Sequence, residues 1–260
     1  MLTEKQKKEI ASLSRKKSRE RLNVFLIEGK RSVEAAIAAK AELLYLITSS
    51  EAASPDLRSA VESLGGTVDV LPERELARLS NVQTSQGMLA VARRQLVDAE
   101  LLKNENTVLL LCGVQDPGNV GTLLRTAAWF GVGAVIAGPE TADFYNTKVV
   151  RASMGGIWDV RLSEIDDVRS WLVEWKIGGQ RIYAADLEGI SLESWKPTFP
   201  SVMIIGSEAH GIPTEIARLA DERIHIPGHG RSRITESLNA AVAGGLVVSS
   251  WMRAASPDGA

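Results

Sequence analysis

The sequence predicts two successive α/β units. Three features carry that expectation: short apolar strands alternate with helices along both halves, a polar stretch at 94–106 interrupts the alternation, and the composition is 45% hydrophobic and 24% charged, as in a folded globular chain. The 260 residues suit one large or two modest domains, with enough chain to bury a core. No apolar run approaches the ~18 residues of a membrane span. The first ten residues lack the apolar segment of a secretory signal. The lone Cys112 excludes an internal disulfide framework and a multi-cysteine zinc site. A cytoplasmic protein is expected.

The elements follow in order. Residues 4–20 read as one polar helix, 24–27 as a short buried strand stopped at Gly29, and 31–40 as a helix with an apolar stripe. A strand at 43–48 leads to a helix at 55–64, opened by Ser54 as its cap with Pro55 in first position and closed by Gly65 and Gly66. A strand at 67–70, a short helix at 73–79 and a strand at 87–93 complete the first series. Residues 94–106 read as a linker helix or hinge. The second series opens with a buried strand at 107–112 and a helix at 120–130, with Val120, Leu123, Leu124, Ala127 and Ala128 at core spacing. Strands are expected at 134–137, 181–185, 202–205 and 223–226, and a last helix at 236–253. The resulting division is 1–94 as one domain, 95–106 as linker, 107–254 as the second domain and 255–260 as a loose tail.

The net charge of −2 hides an asymmetry: residues 1–31 hold ten basic and four acidic side chains. Such a segment fits a polyanion partner, although charge alone favours a solvated helix face. Lys7, Lys8, Arg15, Lys16 and Arg19 recur at helical spacing, which favours one basic face.

Three glycine-rich loops each follow a buried strand: 116–122, 206–211 and 226–230. Ligands of open α/β sheets sit at the carboxyl ends of strands. Familiar nucleotide motifs are rejected. Gly131 and Gly133 precede a strand instead of opening a helix, and Asn119-Val120 stands where a phosphate loop needs Lys-Ser/Thr. The run Gly206-Ser-Glu-Ala-His-Gly211 is not a nucleophile elbow. His225 and His229 flank Pro227-Gly228 and cannot share a helical face, so with His210 they are not read as metal ligands, and no metal site is expected. Cys112 reads as a packed hydrophobe.

Taken together, Asn119-Val-Gly-Thr-Leu-Leu-Arg125, Gly206-Ser-Glu208-Ala-His-Gly211 and Glu236-Ser237-Leu238-Asn239 resemble, in order and spacing, the three motifs of the SpoU/TrmH family of RNA ribose 2′-O-methyltransferases in the SPOUT superfamily. The likeness runs over 107–253 and includes Lys148-Val-Val-Arg151-Ala-Ser-Met-Gly155-Gly. The first half, with Arg21, Phe25-Leu-Ile-Glu28-Gly29 and Gln86-Gly-Met-Leu-Ala, is similar to the substrate-binding domain of many members, related to ribosomal and kink-turn-binding proteins. One departure is a longer loop at 228–235, with Gly228 where Met is common.

The resemblance implies a small RNA-binding α/β domain followed by a parallel-sheet α/β domain with a trefoil knot. It implies S-adenosylmethionine as cofactor, held by main chain at Gly206, Ile226 and Leu238, and a homodimer through the catalytic domain. The implied reaction is methylation of a ribose 2′-hydroxyl in RNA, with ribosomal RNA of the 23S type ahead of transfer RNA. The site would comprise Asn119, Arg125, Glu208, Ser237 and Asn239: Arg125 as base or alkoxide stabiliser, Asn119 and Glu208 orienting it, Ser237 and Asn239 placing the nucleotide. Arg15, Lys16, Arg19 and Arg21 would contact RNA phosphate. Each residue also has a simpler reading. Asn119, Ser237 and Asn239 could cap helices, Arg125 could face solvent, and Glu208 could pair with a surface lysine. The competing classes are a non-catalytic RNA-binding module and a base-methylating relative.

Overall fold

The structure is a computed structural model. It describes residues 2–49, 52, 54–80, 87–228 and 237–255. The chain divides into two compact units, Met1–Gln95 with Asp143–Asp159, and Leu96–Ala142 with Val160–Ala260.

The first unit begins with α1 (Glu4–Ser12) and α2 (Lys16–Leu22), followed by β1 (Val24–Glu28), α3 (Lys30–Ala38), β2 (Leu43–Thr48), α4 (Pro55–Ser63), β3 (Thr67–Val70), α5 (Glu73–Leu79) and β4 (Met88–Arg93). Its sheet runs β1-β4-β2-β3, with β4 antiparallel to both neighbours and β2 parallel to β3. β1 is buried along its whole length, as an apolar run predicts. Ser54 caps α4 by accepting from the Leu57 amide at 3.2 Å. The first helix departs from the single one expected over 4–20. Thr3 and Gln6 form a capping box that starts α1, the chain breaks at Leu13–Arg15, and α2 ends in left-handed Asn23. The break is fixed by Arg19, whose guanidinium donates to the carbonyls of Leu13 at 2.7 Å and Ser14 at 3.0 Å.

The second unit opens with a 3-10 helix at Ala99–Asn104, then β5 (Thr107–Cys112), α6 (Pro117–Phe130) and β6 (Ala134–Ala137). Next come α7 (Thr147–Ser153), which groups with the first unit, and β7 (Arg161–Glu164), α8 (Val168–Ile177), β8 (Arg181–Ser191), β9 (Ser201–Gly206), α9 (Thr214–Ala217), β10 (Glu222–His225) and α10 (Ala240–Ala255). The sheet order is β10-β8-β9-β5-β6-β7, parallel throughout. α8 escaped the sequence reading although its signal is present: Asp167 caps it, and Val168, Trp171, Leu172 and Trp175 bury one stripe. α7, α9 and four-residue β7 also went unread, being too short for a clear period.

Two further expectations differ from what is observed. The stretch read as a linker helix or hinge at 94–106 holds a short 3-10 helix and is packed, not a free linker: Ala99 and Leu102 join the second unit's core, the Trp171 indole donates to the Ala99 carbonyl at 3.0 Å, and the Val97 amide to the Leu162 carbonyl at 2.8 Å. Residues 143–159, read as part of the second domain, cluster with the first. There Tyr145 and Trp158 pack their rings against Phe25 at 4.6 and 5.7 Å, and Asp143 holds Arg19. The tail expected at 255–260 lies outside the described residues beyond Ala255.

In α10 the small residues serve packing within the chain. A β-carbon at Gly244 would stand 2.4 Å from Leu123 of α6, so this glycine lets the two helices approach closely. Trp251, fully buried, donates to the Ser201 hydroxyl at 2.9 Å. The opposite face leaves Val242 and Leu246 about half exposed one turn apart, as is Leu238 just before the helix. No helix among the described residues is long and apolar enough to cross a membrane.

Candidate functional site

From β5 the chain passes through α6 to β6, on one side. From β9 it passes through α9 to β10, beyond β8 on the other side. Neighbouring parallel strands whose connections diverge leave a crevice at their carboxyl ends, where open α/β sheets bind ligands. Cys112 and Gly206, the last residues of β5 and β9, are paired across this point. Both flanking loops carry residues singled out in the sequence.

Asn119 stands in the first turn of α6. The cap is Asp116, whose carboxylate accepts the Asn119 amide at 2.9 Å. Asn119 is therefore not the cap, and its side chain is free for other work. Its Nδ2 donates to Glu208 Oε1 at 2.6 Å, and its Oδ1 accepts from Asn239 Nδ2 at 3.0 Å. An ionised carboxylate can only accept, so Glu208 fixes which way the Asn119 amide points. That choice turns the Asn239 amide so that its Oδ1 faces the start of α10, where it accepts from the amides of Ala241 at 2.9 Å and Val242 at 3.2 Å. Asn239 does cap the last helix, and it joins the network as well. Glu208 contacts an asparagine, not the surface lysine of the alternative reading. Three side chains from three distant segments thus form one polar chain beside the crevice.

Arg125 lies farther along α6, exposed, and makes no hydrogen bond or ion pair with any described residue. Ser237 is exposed and likewise without a side-chain bond to a described residue. The structure thus unites Asn119, Glu208 and Asn239 and leaves Arg125 and Ser237 outside their hydrogen bonds. Cys112 at the crevice floor is buried, and burial pushes its thiol up to about 12, which keeps it neutral.

Gly206 has a role the sequence did not suggest. A β-carbon there would lie 2.3 Å from the Gly211 carbonyl carbon and 2.5 Å from the Ile212 nitrogen. The glycine is required by the chain's own return, closed by mutual Ser207–Gly211 backbone bonds at 3.0 Å. Gly206→Ala should therefore cost about 1–3 kcal/mol by forced displacement and weaken cofactor binding by opening this loop. Thermal melts and cofactor titration check it; unchanged values in both would show that the return tolerates a side chain. The main-chain groups of Ile226 and Leu238 make no hydrogen bond with any described residue. His229 and the longer loop, through Glu236, lie outside the described residues.

Of the four basic residues assigned to RNA, Arg15, Lys16 and Arg21 are exposed, but Arg19 is not. Arg19 is 2% exposed, and its Nε and Nη2 donate to Asp143 Oδ2 at 2.9 and 2.5 Å. With its other nitrogen on the Leu13 and Ser14 carbonyls, it is a structural cation and not a phosphate contact. Helical spacing placed it on the basic face, but the break after Leu13 turns it inward.

A parallel α/β domain with a polar network at its switch point defines a ligand-binding enzyme domain, joined here to a small mixed-sheet unit. A model of the SpoU rRNA methylase family matches residues 106–249, and a model of the MRM3-like substrate binding domain matches residues 5–90. The 23S rRNA (guanosine(2553)-2′-O)-methyltransferase RlmP of Bacillus subtilis (strain 168) is 30% identical over 243 residues, 93% of each chain. A solved TrmH-family RNA methyltransferase structure from Porphyromonas gingivalis is 34% identical, with a TM-score of 0.82 over 97% of this chain and 99% of that one. The AdoMet-bound rRNA methyltransferase from Sinorhizobium meliloti is 26% identical, with a TM-score of 0.84 over 97% and 95%. The chain belongs to the SpoU rRNA methylase family. It is an RNA methyltransferase that uses S-adenosylmethionine.

Proposed function

We propose that the enzyme methylates a ribose 2′-hydroxyl of ribosomal RNA of the 23S type, in the cytoplasm. The observation that carries this reading is the Asn239–Asn119–Glu208 chain at the switch point, with an unclaimed arginine farther along the same helix as Asn119. The Bacillus subtilis relative's name supports both the 2′-O position and the 23S target. Transfer RNA is the second substrate in order.

S-adenosylmethionine supplies an electrophilic methyl on a sulfonium centre. Gly206, Ile226 and Leu238 would hold it by main chain, in a knotted arrangement of the last segments of the domain. Arg125 meets the ribose oxygen. Its guanidinium charge stabilises the alkoxide that develops as the hydroxyl proton passes to solvent. Glu208 fixes Asn119, which orients the ribose, and Ser237 and Asn239 position the nucleotide. Holding the groups in near-attack geometry can contribute about 7–11 kcal/mol. Residues 1–94 serve as the RNA-binding domain.

The direct test is transfer of tritiated methyl to ribosomal RNA followed by alkaline digestion. The label should appear in alkali-resistant dinucleotides, since 2′-O-methylation blocks cleavage; label in mononucleotides would mean base methylation and overturn the reading.

The reading also includes a homodimer through the second unit. Leu238, Val242 and Leu246, 48%, 54% and 45% exposed, and Trp129, 84% exposed, supply the apolar face. Light scattering should give twice the protomer mass of 28.1 kDa, and Leu246→Glu should shift the protein toward monomer. A wild-type protein that stays at protomer mass at micromolar concentration would refute the dimer.

A further inference from the structure

We propose that the cavity between α1 and α2 is a discrete binding site for the RNA phosphodiester backbone, built by Lys5, Lys8, Arg15 and Arg21. The inference rests on the enzyme's acting on RNA, and it relocates the contact from a diffuse basic helix to one place. The cavity measures about 390 Å³, and all four cations lie on its wall. On a single helix over 4–20, Lys5, Lys8 and Arg15 would be spread along about 15 Å of axis. With the break at Leu13–Arg15, all three line one cavity together with Arg21.

Two observations point to an anion. First, none of the four wall cations is spent on an ion pair with a described residue. Lys7 is paired with Glu4 and Glu75 at 3.0 and 2.8 Å, and Lys16 with Glu20 at 3.7 Å. Lys5, Lys8, Arg15 and Arg21 form no ion pair with any described residue. Glu9 is the acid on that wall, so like charges converge with one carboxylate among them, and a bound anion relieves the repulsion. Second, the turn that assembles the wall is fixed from within. Arg19 spends its guanidinium on the Leu13 and Ser14 carbonyls and on Asp143, so the site is organised before any ligand arrives. Ser18, on the same wall, has a hydroxyl that bonds no described residue and offers a neutral donor.

The wall carries no aromatic side chain. Base stacking is therefore absent from this site, and the contact sets the register of the RNA without reading its sequence.

The test compares the full-length protein with Arg15→Gln/Arg21→Gln and with a charge-matched control, Arg74→Gln/Arg78→Gln, whose residues are exposed on α5. RNA binding to a ribosomal RNA fragment is titrated at several salt concentrations, with cofactor binding measured alongside. Removing two phosphate contacts should lower the slope of log affinity against log salt by about two and raise KM for RNA at unchanged cofactor affinity. The control should stay near the wild-type slope. A cavity variant with wild-type slope and affinity, or equal losses in both variants, overturns the site while leaving the enzymatic reading intact. A wild-type protein that transfers no methyl to RNA overturns the enzymatic reading and the site with it.

Discussion

Asp143→Ala should destabilise the first unit by about 3–5 kcal/mol, because it leaves the Arg19 guanidinium charged and buried without its counterion. The two side chains are 3% and 5% exposed. Asp143 Oδ1 also accepts the Tyr145 amide at 2.8 Å, so the same change loosens the start of the 143–159 segment. The loss is a large part of the ~5–15 kcal/mol that holds a domain together. Urea unfolding followed by circular dichroism measures it. Replacing both partners by apolar residues, Arg19→Met with Asp143→Leu, should recover much of the loss, since no buried charge then remains. A single variant as stable as wild type would mean that water reaches Arg19. Because the proposed cofactor contacts all lie in the second unit, S-adenosylmethionine should still bind below the unfolding transition.

Arg125→Ala should lower methyl transfer by at least about 10²-fold, the lower end for a group that manages a proton or its charge in the transition state. Cofactor affinity should stay within about twofold, because Gly206, Ile226 and Leu238 lie in other segments. Arg125 is exposed and bonds no described residue, so its removal should not disturb folding, and a loss of activity will report chemistry. The assay is tritiated-methyl transfer at saturating RNA, with calorimetry for the cofactor. Turnover near wild type would return Arg125 to its simpler reading as a solvent-facing residue.

How much of this was legible in the sequence can be seen in particular elements. The strands at 43–48, 67–70, 107–112 and 134–137 were read to the residue, because an apolar run between turn residues is a local signal. The cap of α4 by Ser54 was equally local. The motif residues Asn119, Glu208 and Asn239 were found as an ordered set, but nothing in their spacing said that they touch. Their bonds span 89 and 120 residues of chain, and only the strand order, which brings β5 beside β9, makes them neighbours. Local reasoning offered Asn119 as a helix cap. Asp116 three residues earlier takes that role, and competition between two capable residues is settled by backbone geometry.

The first unit shows the same division. By itself, the sequence determined that 1–31 is basic, that its charges recur at helical spacing, and that a mixed α/β unit follows, since these depend on residue type and short-range order. The tertiary structure alone decided which of those charges face water. Arg19 and Arg15 are equivalent in composition and period, yet Arg19 is buried because Asp143, 124 positions away, supplies its counterion, and a buried charge persists only where such a partner is held. The same long-range pairing draws 143–159 out of the second series and into the first unit. No local pattern encodes a contact whose energy comes from two charges meeting out of water.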